Sequence, residues 1–211
     1  MILTTLSMLD QHIGQAVIVQ ARLTGLKPLM PFSDSHYRVI QVSDCAANQL
    51  LHVWATNPVF EYLDLLSVKE YPALEVVCLP VLLDGRLYIK VDNVYAISSA
   101  NIHNAAQIVP KLFVPSAARK SLGSMISAIN SLQSHALRQL VNDTFSDYRV
   151  MNTFVRCGAS WNHHHSWPGG LLAHSMEVGQ LAAMNAVALQ HPRLSVEATF
   201  VAGLLHDLGK V

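Results

Sequence analysis

The chain has 211 residues, 51% of them apolar and only 13% charged, which excludes a disordered polymer. Its 14 Lys and Arg balance 14 Asp and Glu, so coating nucleic acid by bulk positive charge is excluded too, while a local basic groove stays open. At about 150 residues per domain, the length accommodates one large domain or two small ones.

Three cysteines, Cys45, Cys78 and Cys157, form no Cys-x-x-Cys pair and read as buried thiols of a reducing compartment. The first residues lack a basic start and are broken by Asp10, His12 and Gln15, so they do not read as a secretory leader. No apolar run reaches the roughly 18 residues of a membrane span. The expectation is a cytoplasmic protein with no membrane partner.

In chain order, Val17–Leu26 predicts a first strand, with turn signals at Lys27-Pro28 and over 30–35. Residues 36–43 predict a second strand, 44–48 a turn and 50–55 a third strand. Pro58 opens a short helix over 58–67, with Val59, Tyr62, Leu63 and Leu66 at helical spacing. Residues 73–83 and 87–97 predict the fourth and fifth strands. Asp84-Gly85 between them suits the positive φ angles of a type I′ turn. Three strands, a helix and two strands predict a five-stranded OB-like β-barrel, which closes its own edges. Any other small β-rich domain is the bland alternative.

Such a barrel holds single-stranded nucleic acid through exposed aromatic and basic side chains. The candidates are Tyr37, Arg38, His52, Trp54, Arg86, Tyr88 and Lys90, although Tyr37 or Trp54 can equally plug a core. Alternation puts His52 with Trp54 on one face. It also puts Arg86, Tyr88 and Lys90 together, opposite Leu87, Ile89 and Val91.

Near residue 105 the pattern turns helical, so the expected domains are 1–104 and 105–211, with 98–115 as the transition. Ser116 is a candidate cap for a helix containing Leu122, Met125, Ile126 and Ile129. A second helix is expected over 134–154, with Leu137, Leu140, Val141, Phe145, Tyr148 and Met151 on its apolar face. A loop over 158–170 then gathers Trp161, His163, His164, His165 and Trp167 with several glycines. Helices are expected over 171–189 and 196–208, divided by Pro192 and stopped at Gly209.

His174 lies in the first of these helices and the His206-Asp207 pair ends the second. A lone helical histidine is more often a satisfied core or surface group, but an adjacent His-Asp pair is more specific. If the helices face one another, the three side chains offer two nitrogens and an oxygen, a set suited to Mn²⁺, Fe²⁺, Ni²⁺ or Zn²⁺.

LLAHSMEV, followed about 30 residues later by LLHDLGK, resembles the HD superfamily of metal-dependent phosphohydrolases. HHHSWPGGLLAHSMEV resembles the motif of bacterial exoribonucleases that join an OB fold to an HD domain. It also resembles the HD-containing N-terminal region of conjugation relaxase and helicase proteins. The resemblance implies an all-α HD-type domain in which His174, His206 and Asp207 hold a divalent metal ion (Mn, Fe, Ni, Mg or Zn). The implied reaction is phosphodiester hydrolysis in single-stranded RNA or DNA by a metal-activated water.

Within that reading Asp207 also orients the nucleophile. His163 and His164 reach the centre from the loop, to hold phosphate oxygens, protonate the leaving oxygen or complete a second metal site; His165 is less suited, since three adjacent side chains do not all point inward. Lys210 neutralises phosphate charge. Gly169 and Gly170 either offer N–H groups to phosphate or only permit a sharp turn. Glu177 is either an imidazole's partner or a surface carboxylate, and Trp161 and Trp167 either stack on bases or fasten the loop.

The family's fourth ligand is an aspartate on a later helix, and none follows Asp207 before Val211. The expectation is therefore an incomplete HD-type domain whose bare apolar faces a second copy or a partner chain covers. The alternative is a single-strand-binding or conjugation-associated module with an inactive HD half.

Overall fold

The computed structural model describes residues 1–160 and 164–211. The chain divides into two compact units. One is Met1–His103 with Gln107–Lys111, the other Asn104–Ala106 with Leu112–Val211. The stretch expected as a transition is thus shared between them. In the first unit, the Cys45 N–H donates to the Gln107 carbonyl at 2.9 Å and the Lys111 N–H to Ser43 Oγ at 3.1 Å. In the second, Asn104 Nδ2 donates to the Ile126 carbonyl at 3.1 Å and the Ala105 N–H to Asn142 Oδ1 at 3.0 Å.

The first unit is a sheet of β1 (Ile2–Thr4), β2 (Val17–Leu26), β3 (Met30–Phe32), β4 (Ser35–Ser43), β5 (Asn48–Trp54), β6 (Ala73–Leu83) and β7 (Arg86–Ala96). Its strand order is β1-β2-β6-β7-β5-β4-β3, and β2 also pairs with β4. The pairings therefore run in a circuit through β2, β6, β7, β5 and β4. A register shift between Leu23 and Gly25 bends β2 and lets it serve β6 with its first half and β4 with its second. β5 meets β7 in parallel at His52 and Lys90. Alternate residues of β2, namely Val17, Val19, Ala21 and Leu23, enter a core with Ile40, Val42, Leu51, Val53, Leu74, Val76, Cys78, Ile89 and Val91. Each large aliphatic side chain buried this way contributes roughly 1.5–3 kcal/mol.

Seven strands stand where five were expected. β1 lies parallel to β2, and the 30–35 stretch, expected as turn, forms the β3–β4 hairpin with Ser33 at φ 52°. Asp84 and Gly85 both take positive φ, 49° and 73°, as the I′ turn requires. The helix expected over 58–67 does not form. Two short 3-10 turns, Tyr62–Leu65 and Val68–Glu70, replace it. Asn57 anchors the start of that segment, accepting the Val59 N–H and donating to the carbonyls of Val91 and Asp92. Only Leu63 in those turns is fully buried, too little of an apolar face to hold an α-helix this short.

The second unit is helical: α1 (Arg119–Ser131), α2 (His135–Ser146), α3 (Tyr148–Arg156), α4 (Gly170–Ala188) and α5 (Arg193–Leu205). The single helix expected over 134–154 breaks into two at Asp147. That residue leaves helical geometry (ψ 116°) and accepts the Arg149 N–H at 2.8 Å, capping α3. Ser134 caps α2 through the Leu137 N–H. Ser116 does not cap α1 with its side chain; it opens a 3-10 turn over Ser116–Ala118. Leu140, expected in the core, is 48% exposed. Buried Glu197 ties α5 to the loop before α2, accepting the N–H groups of Gln133 and Ser134 at 3.0 and 2.9 Å. Among the described residues, no helix is long and apolar enough to cross a membrane.

The α4–α5 crossing is unusually close. A Cβ built on Gly203 would lie 2.7 Å from the Gly179 Cα, and one on Gly179 2.9 Å from the Phe200 carbonyl oxygen. Both neighbours are backbone, so only glycine fits at either position.

Candidate metal centre and aromatic face

His174 sits near the start of α4, and His206-Asp207 follow the last residue of α5. The turn at 189–192 returns the chain, and the glycine crossing brings these two helix ends together. His174 Nε2 lies 3.4 Å from Asp207 Oδ2, and His206 Nε2 lies 3.3 Å from the same oxygen. One ligand atom from each of the three residues falls within 4.8 Å of the others. Ligands about 2.1 Å from a tetrahedral ion stand about 3.4 Å apart, so the two short separations match a shared ion. They are also longer than good hydrogen bonds.

The donor set fits a metal in its tautomers as well. His206 Nδ1 donates to the Gly203 carbonyl at 2.7 Å, which leaves Nε2 with its lone pair toward Asp207. Burial holds the His174 imidazole below its ordinary pKa, against the pull of Asp207, so its nitrogen stays available for coordination near neutral pH. Burial alone would raise the Asp207 carboxyl. The Lys210 hydrogen bond and the nearby His206, Lys210 and His174 charges outweigh it and hold the group below the carboxylate range. Lys210 Nζ bonds Asp207 Oδ2 and also donates to the Ala159 carbonyl, the latter at 2.9 Å.

The loop brings further imidazoles. The His164 and His165 ring centroids lie 5.8 and 5.7 Å from that of His174. His165, which the sequence left as the weaker candidate, is held at φ 58° with Nε2 3.0 Å from Glu177 Oε2. Glu177 therefore partners an imidazole of the loop. The Trp167 ring lies 5.9 Å from that of His165. His163 and Trp161 lie outside the described residues.

The phosphate role considered for Gly169 and Gly170 is overturned. Their N–H groups donate to the carbonyls of Arg156 and Trp167 at 3.1 and 2.8 Å. Both glycines are steric necessities instead. Gly169 takes φ 91°, and a Cβ on Gly170 would fall 1.9 Å from the His165 carbonyl oxygen.

In the first unit, Tyr37 and Trp54 stand opposite each other on β4 and β5, with ring centroids 5.3 Å apart. His52 shares that face, 5.6 Å from Tyr37 and stacked on Tyr88 at 4.5 Å and 27°. With Val81, Leu83 and Lys90 these rings line a cavity of about 420 Å³. Burial raises the Tyr88 phenol's pKa. Two predicted residues do not join this group. Arg38 alternates to the other side of β4, where it pairs with Asp64 and lies over the Phe60 ring. Arg86 sits exposed at the hairpin end, opposite Leu83.

Sequence reasoning missed the Gly179–Gly203 crossing. Its signal was present, since a helix-interior glycine costs about 1 kcal/mol relative to alanine and needs a packing reason.

A family model described as "Putative helicase" matches residues 106–211. No curated protein matches the chain. Among solved structures, a putative aspartyl-tRNA synthetase from Leishmania major Friedlin is similar over 46% of this chain at 11% identity and a TM-score of 0.35; the chain spans only 20% of that protein. The second OB-fold domain of replication protein A from Methanococcus maripaludis is similar over 45% of this chain and 96% of its own length, at 16% identity and a TM-score of 0.34.

Proposed function

The chain belongs to the family described as "Putative helicase" through residues 106–211, and we propose that this helical region is an HD-type, metal-dependent phosphodiesterase acting on single-stranded nucleic acid. The observation that carries the reading is the convergence of His174 Nε2 and His206 Nε2 on one oxygen of Asp207. His174, His206 and Asp207 would hold a divalent ion, which would supply a Lewis acid for a phosphoryl oxygen and a lowered pKa for a water.

The chain's own groups do the rest. Asp207, kept ionised by the Lys210 ammonium beside it, gives the ligand set its negative charge. The Gly203 carbonyl fixes the His206 tautomer. Lys210 adds positive charge beside the carboxylate, where a phosphate's oxygens are stabilised. His164, close to His174, would hold a phosphate oxygen or pass a proton to the leaving oxygen.

The first unit supports the single-strand part. The strand circuit β2–β4–β5–β7–β6 follows the order of an OB-type barrel. Its outer face carries the aromatic rings and Lys90 that stack bases and meet backbone phosphate.

One observation favours a second reading. Lys210 donates to the same Asp207 oxygen that the imidazoles approach, so an ammonium can satisfy the carboxylate in place of a metal. The helical region would then be an inactive scaffold beside a strand-binding barrel. Incubation of end-labelled single-stranded RNA and DNA with the chain and Mn²⁺, with and without EDTA, decides between them. Shortened products that vanish with EDTA or in His206→Ala support the phosphodiesterase. Strand binding with no product in any metal supports the scaffold.

A further inference from the structure

We infer that the aromatic cavity of the first unit seats one nucleobase of a bound strand and reads its polar edge through His52, so that strand binding depends on base identity. The inference rests on the single-strand reading above and narrows it, because a plain stacking platform accepts every base alike.

Three observations carry it. The cavity is concave rather than flat, and its volume of about 420 Å³ lies within the roughly 300–1,000 Å³ of small-molecule sites. Its walls are π-faces, with His52 stacked on Tyr88 at 27° and Tyr37 tilted between His52 and Trp54. Finally, the buried Nδ1 of the His52 side chain has no hydrogen-bond partner among the described residues. Buried polar atoms are paired in the large majority of cases, so an open one within an aromatic cavity marks where a ligand completes the set.

The chemistry of that imidazole suits a base edge. Burial, and then the charge of Lys27, hold its pKa below the ordinary value, so it is neutral near pH 7. A neutral imidazole nitrogen either donates or accepts one hydrogen bond, so the open Nδ1 suits a single matching group on a base edge. Lys90, directly across from His52 in register, stands where the attached phosphate needs a cation.

The test measures affinity of the full chain for the homopolymers dA, dC and dT and for rU by fluorescence anisotropy. The wild type is compared with His52→Phe, which keeps the stacking ring and removes both nitrogens. We expect a spread of roughly tenfold or more among the bases, reduced to less than about threefold in the variant, with circular dichroism unchanged. Equal affinities in the wild type, or a spread that survives His52→Phe, would overturn the base-reading inference and leave the single-strand reading standing. Failure to bind any homopolymer would remove both. A nucleoside monophosphate that binds as tightly as its homopolymer would assign the cavity to free nucleotides, and overturn the claim that it serves a strand.

Discussion

Gly203→Ala tests whether the helix crossing sets the geometry of the proposed metal centre. The added Cβ would lie 2.7 Å from Gly179 Cα, 2.9 Å from Gly179 N and 3.1 Å from the Val178 carbonyl carbon. Comfortable carbon contacts begin near 3.5–4.0 Å, so α5 must retreat from α4 by about 1 Å. His174 is the only one of the three candidate ligands on α4, and its 3.4 Å approach to Asp207 spans the two helices. That separation therefore lengthens beyond 4 Å by the same ~1 Å movement, well outside the ±0.2 Å tolerance of metal–ligand distances. Overpacking of this kind costs about 1–3 kcal/mol in stability, and a displaced ligand weakens metal binding by about 10- to 100-fold. Urea unfolding and Mn²⁺ titration by calorimetry read the two effects. Gly123→Ala in α1, where nothing lies within 4 Å, is the control and gains about 0.5–1 kcal/mol with unchanged metal affinity. If Gly203→Ala folds as stably as the wild type and binds Mn²⁺ equally well, the crossing does not position the ligands and the reasoning fails.

Asp207→Asn removes the charge that both imidazoles and Lys210 face, so divalent binding is lost while the fold persists; calorimetry with circular dichroism checks both halves. Trp54→Ala and Tyr88→Ala each weaken single-strand binding by about 1–3 kcal/mol, whereas Arg38→Ala, which removes an ion pair on the other side of β4, leaves it unchanged by anisotropy. Glu197→Gln destabilises the helical unit by about 2–3 kcal/mol, through the bonds from Arg193, Gln133 and Ser134. Burial would raise the Glu197 pKa, but those bonds outweigh it and lower it. The stabilisation is thus full above the unfolded glutamate value near 4.3 and is lost as pH falls through the lower folded value. Urea unfolding should show the difference between wild type and variant shrinking below about pH 4; a difference that persists there contradicts the assignment.

Strand positions were legible because alternation is local. β2 and β6 keep the bounds that their apolar runs suggest, and Asp84-Gly85 turns as its chemistry requires. The short edge pairings were not legible. Ile2–Thr4 and Met30–Phe32 are strands only because β2 and β4 offer them partners. The 58–67 segment shows the converse: helical spacing without a wide enough buried face does not make an α-helix. Asp147 carried a readable cap signal, yet the apolar periodicity running on either side of it suggested one helix. At the candidate metal centre, residue types and chain spacing singled out His174, His206 and Asp207. The 3.4 Å approach of His174 to Asp207 depends on two glycines in different helices, which no local pattern links. Arg38 stands apart from the aromatic group for a similar reason, since its partner Asp64 lies in a segment whose path the sequence does not give.

The most direct measurement of the central claim is metal content by mass spectrometry after equilibration with Mn²⁺ and gel filtration, on the wild type and on His174→Ala and His206→Ala. The account predicts one ion per wild-type chain and none in either variant, with all three folded by circular dichroism. A wild type without bound metal, or variants that keep it, would contradict the assignment of these residues to a metal centre.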